Sequence, residues 1–194
     1  MKLVNKRILI TAGEPASISS EITIKALEKL KNKNNAELII LTDPILIKHE
    51  LKNLNKTAKL NILDKSLHFK DYKQNFINIF PIKLNEKMFP GILNKKNSDF
   101  VINCIKTSVK LLLEKKAHAL VTNPINKFIM NSNDFKFNGH TEYLGHLSKL
   151  KKQPVMMLET DKLRVVPLTT HIPISSVSTE LSINMIIKKI KVLD

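Results

Sequence analysis

Apolar residues recur along this chain in two alternating rhythms. Residues 7–11 (RILIT) form a short run with β-branched content, which predicts a buried strand. The stretch TAGEPASISS follows as a loop. Residues 21–31 (EITIKALEKLK) then place Ile22, Ile24, Ala26 or Leu27, and Leu30 at helical spacing. Residues 36–41 predict a second strand, and Asp43-Pro44 open a second helix, since proline is tolerated in a first turn. Residues 60–63 and 76–82 give weaker strand signals, and residues 65–94 are the least periodic part of the chain. Asn97-Ser98-Asp99 supply capping residues for a long amphipathic helix running to Lys116, with Val101, Ile105, Val109, Leu112 and Leu113 on one side. Residues 119–122 form another strand, which ends at Asn123-Pro124, and residues 141–150 are helical. Residues 155–158 and 163–168 predict two buried strands joined by the turn ETDK. Residues 178–193 predict a last helix with Leu181, Met185, Ile186 and Ile190 inward.

Strands alternating with helices define a layered α/β fold with a parallel or mixed sheet. A first α/β domain is expected over residues 1–134 and the start of a second, incomplete one over 135–194. In open sheets of this kind ligands gather beyond the carboxyl ends of the strands. Three polar clusters fall at such ends: residues 11–14, 122–127 and 169–171.

Composition narrows the classes. The chain has 194 residues, enough for one domain and part of another. The one cysteine, Cys104, lies in an apolar helical pattern and reads as a core residue; it builds neither a disulfide nor a thiolate metal site. The net charge of +15 invites a nucleic-acid partner, but only Arg7 and Arg164 are arginines and the lysines are spread throughout. Aromatics are 5% of the chain with no tryptophan, so stacking platforms are scarce as well, and no nucleic-acid partner is expected. Lys6 and Arg7 interrupt the first apolar run, and no run approaches the roughly 20 residues of a membrane helix, so a cytoplasmic protein with no membrane partner is expected.

Four clusters carry candidate chemistry. In Thr11-Ala12-Gly13-Glu14-Pro15 a glycine turn can present backbone N–H groups to an anion, although neither standard nucleotide loop is present; the alternative is a tight turn with Glu14 solvated. In Asn123-Pro124-Ile125-Asn126-Lys127, Lys127 can meet a phosphate as a mobile point charge, or face solvent like most lysines here. Gly139-His140-Thr141-Glu142 puts an imidazole, a hydroxyl and free N–H groups at a helix start, which suits a phosphate. Thr169-Thr170-His171-Ile172-Pro173 offers a metal ligand, an acid or base, or a satisfied core histidine; one histidine alone makes no metal site. His49, His68, His118 and His146 read as surface residues.

The ordered set TAGEPASISSEI, VTNPINK, FNGHTEYL and VMMLETDKLRVVPLTTHIP, from Ile8 to about Val177, resembles the 4-hydroxythreonine-4-phosphate dehydrogenase family of pyridoxal phosphate biosynthesis. The resemblance implies an isocitrate/isopropylmalate dehydrogenase-like fold of two α/β domains, working as a homodimer. It implies oxidation of a small phosphorylated amino acid, 4-phosphooxy-L-threonine, by NAD or NADP with a divalent metal (Zn, Mg or Co). The β-keto acid so formed loses carbon dioxide. By the same resemblance His140 and Thr141 bind substrate, His171 is a metal ligand, and Glu14 and Lys127 are cleft or phosphate contacts. Two departures accompany it. Ser17, Ser19 and Ser20 stand where the family has glycines and a proline, so any of those sites with positive φ would be strained here. The family chain also continues well past this length, and two further metal-ligand histidines, more phosphate contacts and much of the nicotinamide site lie in that continuation. An inactive or partner-dependent fragment, and a paralogue acting on another phosphorylated four-carbon acid or an aromatic dihydrodiol, are the alternative readings.

Overall fold

The computed structural model describes residues 6–30, 36–64, 72–131, 136–137, 139–150 and 153–193. It divides into two compact units, Met1–Lys136 and Phe137–Asp194. Residues 65–71 of the weakly periodic stretch, with His68, lie outside the described residues, as does Asn138.

The first unit is built on five parallel strands: β1 (Lys6–Thr11), β2 (Ala36–Thr42), β3 (Leu60–Ile62), β4 (Ile77–Pro81) and β5 (Ala119–Val121), in the order β3-β4-β2-β1-β5. Helix α1 (Ser19–Leu30) follows β1 and α2 (Pro44–Asn53) follows β2. Both cover one face, where Ile24, Ile40, Ile47, Leu51, Ile77 and Ile79 form a core cluster. Side chains alternate along a strand, so Leu9, Ile39 and Leu41, all buried, point to the other face. There α3 (Ser98–Leu113) packs on β1, β2 and β5 with Phe100, Val101, Cys104, Ile105 and Val109 buried. Cys104 is thus the expected core thiol, pushed up to about 12 by burial and beyond the range of a neutral-pH nucleophile. Asp43 begins α2 as its sequence requires, with one carboxylate oxygen accepting from Ile45 N at 2.9 Å and the other from Leu84 N at 2.8 Å.

α3 departs from its predicted start. A 3₁₀ turn at Lys95–Asn97 precedes it, the Asn97 side chain accepts from Glu86 N rather than capping the helix, and Asn94 caps the turn instead. Its inner side is also rotated from the expected one, with Leu111 buried and Leu113 exposed. Arg7 is not a surface cation. Its side chain is 0% exposed, paired with Glu37 at 2.8 Å and donating to the Lys116 carbonyl.

The second unit contains α5 (His140–Leu147), after the short α4 (Lys127–Asn131) that ends the first. It continues with the antiparallel pair β6 (Leu158–Glu159) and β7 (Arg164–Val165), then α6 (Val177–Glu180) and α7 (Ile183–Leu193). The hairpin is shorter than predicted and neither strand is buried, because among the described residues it pairs only with itself. The predicted last helix breaks into α6 and α7 at Leu181, whose φ and ψ are extended. Leu181, Ile186 and Ile190, expected inward, are exposed, and Met185 is half-buried. No described helix is long and apolar enough to cross a membrane.

Candidate functional site

In the strand order, the chain leaves β1 toward β2 on one side and later returns to place β5 on the other. The carboxyl ends of β1 and β5 therefore flank a topological switch point, the usual ligand crevice of open α/β sheets. Two of the polar clusters meet there. Glu14 N donates to the Pro124 carbonyl at 2.9 Å, and Asn123 N to Thr11 Oγ1 at 3.3 Å. The Asn123 amide also donates to the Thr11 carbonyl at 2.8 Å and to Thr23 Oγ1 at 2.7 Å, so one side chain joins β5, β1 and α1. The sequence placed Asn123 in a strand-end cluster but pointed to Lys127 as its functional residue; the position of Asn123 before a proline at a strand end was the available signal.

Gly13 is the residue this turn depends on. Its φ is +71°, and a Cβ there would lie 2.5 Å from the Pro124 carbonyl oxygen. Glu14 is buried, and one of its carboxylate oxygens accepts from Ala16 N at 3.2 Å. Burial pushes its carboxyl above the ordinary value, opposed by the Ala16 N–H. The solvated alternative for Glu14 is therefore wrong. The serines do not strain the loop, since neither Ser17, Ser19 nor Ser20 has positive φ. Instead Ser17 Oγ donates to the Glu14 carbonyl at 2.9 Å and lies 2.9 Å from Ser19 Oγ, which reaches the Pro124 carbonyl at 3.4 Å. Lys127 opens α4 and is exposed, with Asn126 Oδ1 accepting from Ile129 N beneath it.

In the second unit Gly139 caps α5 with an extended backbone, and His140 and Thr141 follow as its first residues. His140 is half-buried with its Nε2 shielded from solvent, whereas Thr141 is exposed. Tyr143 packs one turn on with its ring 5.0 Å from Phe137, and burial pushes its hydroxyl up to about 12. Gly145 is needed because a Cβ would meet Pro154 at 2.8 Å. His171 sits in an exposed loop with φ +61°. It does not follow a buried strand, because β7 ends at the exposed Val165, and the core-histidine alternative is excluded. A left-handed backbone on a non-glycine residue in a polar loop is costly and concentrates at functional sites. Among the described residues no group of three or more His, Cys, Asp or Glu could hold a metal, so the donors beside His171 do not complete such a site.

A parallel sheet with polar turns gathered at its switch point defines an open-sheet α/β protein, the class in which ligands gather at that crevice. The comparisons make the class specific. A sequence model of the family described as "Pyridoxal phosphate biosynthetic protein PdxA" matches residues 33–194. The chain is 38% identical over 187 residues to a 4-hydroxythreonine-4-phosphate dehydrogenase of Wigglesworthia glossinidia brevipalpis, covering 96% of this chain and 55% of that one. It superposes on the 4-hydroxythreonine-4-phosphate dehydrogenase of Klebsiella pneumoniae with a TM-score of 0.87 at 29% identity, covering 98% of this chain and 58% of that one. The enzyme of the same name from Burkholderia phymatum gives 0.83 at 26% identity, covering 96% and 56%. The chain belongs to the PdxA family, and it spans about half the length of the curated relatives it matches.

Proposed function

We propose that this chain supplies the substrate-binding turn and one metal ligand of an NAD(P)-dependent 4-hydroxythreonine-4-phosphate dehydrogenase of vitamin B6 biosynthesis. The observation that carries the reading is the family match over residues 33–194, which includes the GHTE turn and the His171 loop. In this reaction the substrate's secondary alcohol would give up a proton and a hydride, leaving a ketone β to the carboxylate. The C–C bond to that carboxylate then breaks to release carbon dioxide. A nicotinamide supplies the hydride acceptor, and a divalent metal favours the deprotonated alcohol. His140 and Thr141, at the head of α5, suit a phosphorylated substrate, with an imidazole, a hydroxyl and the first N–H groups of the helix together. His171 contributes one donor, and a catalytic metal needs further ligands from outside the described residues. NAD or NADP, and zinc, magnesium or cobalt, are open choices, and a homodimer is the expected assembly.

The test uses the chain joined to the part of the Wigglesworthia relative that it does not match. His171→Ala is expected to abolish metal-dependent NADH formation, and His140→Ala to raise KM for 4-phosphooxy-L-threonine by about tenfold, the worth of roughly 1.4 kcal/mol. Turnover unchanged by His171→Ala contradicts the reading. A second reading is a partner-dependent or inactive fragment; no turnover after the unmatched part of the relative is joined to the chain would favour it. A paralogue is separated by competition with other phosphorylated four-carbon acids.

A further inference from the structure

The first unit holds a cavity of about 800 Å³ at the amino ends of β2, β3 and β4, the opposite end of the sheet from the switch point. Its floor is apolar, with Ile24 of α1, Leu38 of β2, Leu51 of α2 and Ile77 of β4. Its rim carries the Phe76 ring, Tyr72 and Lys59. The Leu38 backbone hydrogen-bonds the Tyr72 hydroxyl and so fixes it at the rim. The turn that bears Phe76 is held from within by Asn78, which is 1% exposed. Asn78 Oδ1 accepts from Lys73 N at 2.9 Å and from Asn61 Nδ2 at 2.7 Å. Its Nδ2 donates to the carbonyls of Lys73 at 2.9 Å and Phe76 at 3.1 Å. Between these two residues Asn75 has φ +63°, a left-handed backbone that persists only where its surroundings over-determine it. Lys59 Nζ stands 5.8 Å and Lys73 Nζ 5.6 Å from the centroid of the Phe76 ring. Among the described residues neither ammonium has a carboxylate partner, because Glu28 on the rim is paired with Lys56 and Glu37 with Arg7. An aromatic face attracts a cation, but two ammoniums about one ring repel each other and are stabilised together by a shared anion.

We infer that this cavity is a binding site, separate from the proposed dehydrogenase site, for a small phosphate monoester with an apolar body. The body lies on Ile24, Leu38, Leu51 and Ile77 beside the Phe76 ring, and the phosphate meets Lys59 and Lys73 at the rim. A phosphate monoester carries close to two negative charges at neutral pH, which matches the two uncompensated ammoniums. Lysine meets such a group as a point charge on a flexible stem, and the Tyr72 hydroxyl adds a donor. An apolar floor with a few convergent polar groups is the usual form of a small-molecule site, and its volume lies within the common range of about 300–1,000 Å³.

The probe is phenyl phosphate, with inorganic phosphate and phenol as its two halves. Equilibrium dialysis against the 194-residue chain measures affinity, and amide hydrogen exchange over residues 72–78 locates the site. The expected result is saturable binding of phenyl phosphate, at least ~10-fold tighter than either half, with slower exchange at Lys73 and Phe76. Lys59→Gln with Lys73→Gln keeps the melting temperature, since both side chains are exposed, and weakens binding at least ~10-fold. The charge-matched pair Lys83→Gln with Lys106→Gln, beyond the carboxyl end of β4 and on α3, leaves binding unchanged. Four results overturn the inference: no saturable binding, equal affinity for inorganic phosphate, equal loss in both lysine pairs, or exchange that slows at the head of α5 and not over residues 72–78. None of these readouts involves turnover, so failure of this site and failure of the dehydrogenase reading are separate results.

Discussion

Glu14 is the residue whose environment the sequence hid most completely. A glutamate in a glycine–proline turn reads as solvated, yet closure of the loop on Pro124 buries it. Burial sets its pH behaviour. Its carboxyl is raised above the ordinary 4.5, so the protonated form is favoured in the folded state. The stability it contributes is fully present below about 4.5 and lost as pH rises through the folded value. Glu14→Gln keeps an acceptor for Ala16 N and removes the buried charge. It is expected to raise the melting temperature at about pH 8 and leave it unchanged at about pH 4; an equal or lower value at about pH 8 contradicts this. Arg7 was equally illegible, since nothing local distinguishes it from the lysines around it. It is buried because the β1–β2 register sets it opposite Glu37. Glu37→Ala leaves a guanidinium charge buried without that partner and should cost about 3–5 kcal/mol, read from the urea midpoint. Gly13, by contrast, was legible as a turn glycine, and its φ of +71° against the Pro124 carbonyl supplies the reason.

At the scale of elements, the five strands of the sheet and helices α1, α2, α3 and α5 fall where the hydrophobic rhythm predicts them, α3 with its inner side rotated, because each has packed neighbours that hold it there. The rhythm fails where no neighbour enforces it. β6 keeps only Leu158 of the run 155–158 and β7 only Arg164 and Val165 of the run 163–168, and α7 presents Ile186 and Ile190 to solvent. These segments carry the pattern of buried elements without the partner that would bury them. Within the first unit the tie between elements is Asn123. Asn123→Ala removes its amide bonds to the Thr11 carbonyl and to Thr23 Oγ1 and leaves buried groups unsatisfied. A loss of about 2 kcal/mol is expected, measured by chemical denaturation, and a change below about 0.5 kcal/mol would show that the β1–β5 switch point does not depend on it. The first two polar clusters were legible as strand-end loops. That the first two form one site was not, because the strand order that brings β1 beside β5 is absent from any local pattern.

For the whole molecule, the charge of +15 is carried mostly by lysines spread along the chain. Arg7 is internal, and Arg164 is paired with Glu159 on the surface. More telling is the second unit, in which no described residue beyond Leu150 is buried and Ile174 is 93% exposed. Exposed apolar surface on this scale marks an interaction face. The chain alone is expected to bind hydrophobic dye and to associate, and both should fall when the complementary polypeptide is supplied; a cooperatively unfolding monomer that binds no dye would contradict it. His140, Thr141 and His171 are proposed from the family's motifs, and among the described residues no group of three metal donors includes His171. The central claim is that this chain holds one part of a dehydrogenase site, with the rest in the part of the PdxA relatives that it does not match. It is tested most directly by following NADH formation from 4-phosphooxy-L-threonine with a divalent metal, first with the chain alone and then with the unmatched part of a relative supplied. The account predicts no turnover in the first case and turnover abolished by His171→Ala in the second. Turnover that survives His171→Ala would contradict it.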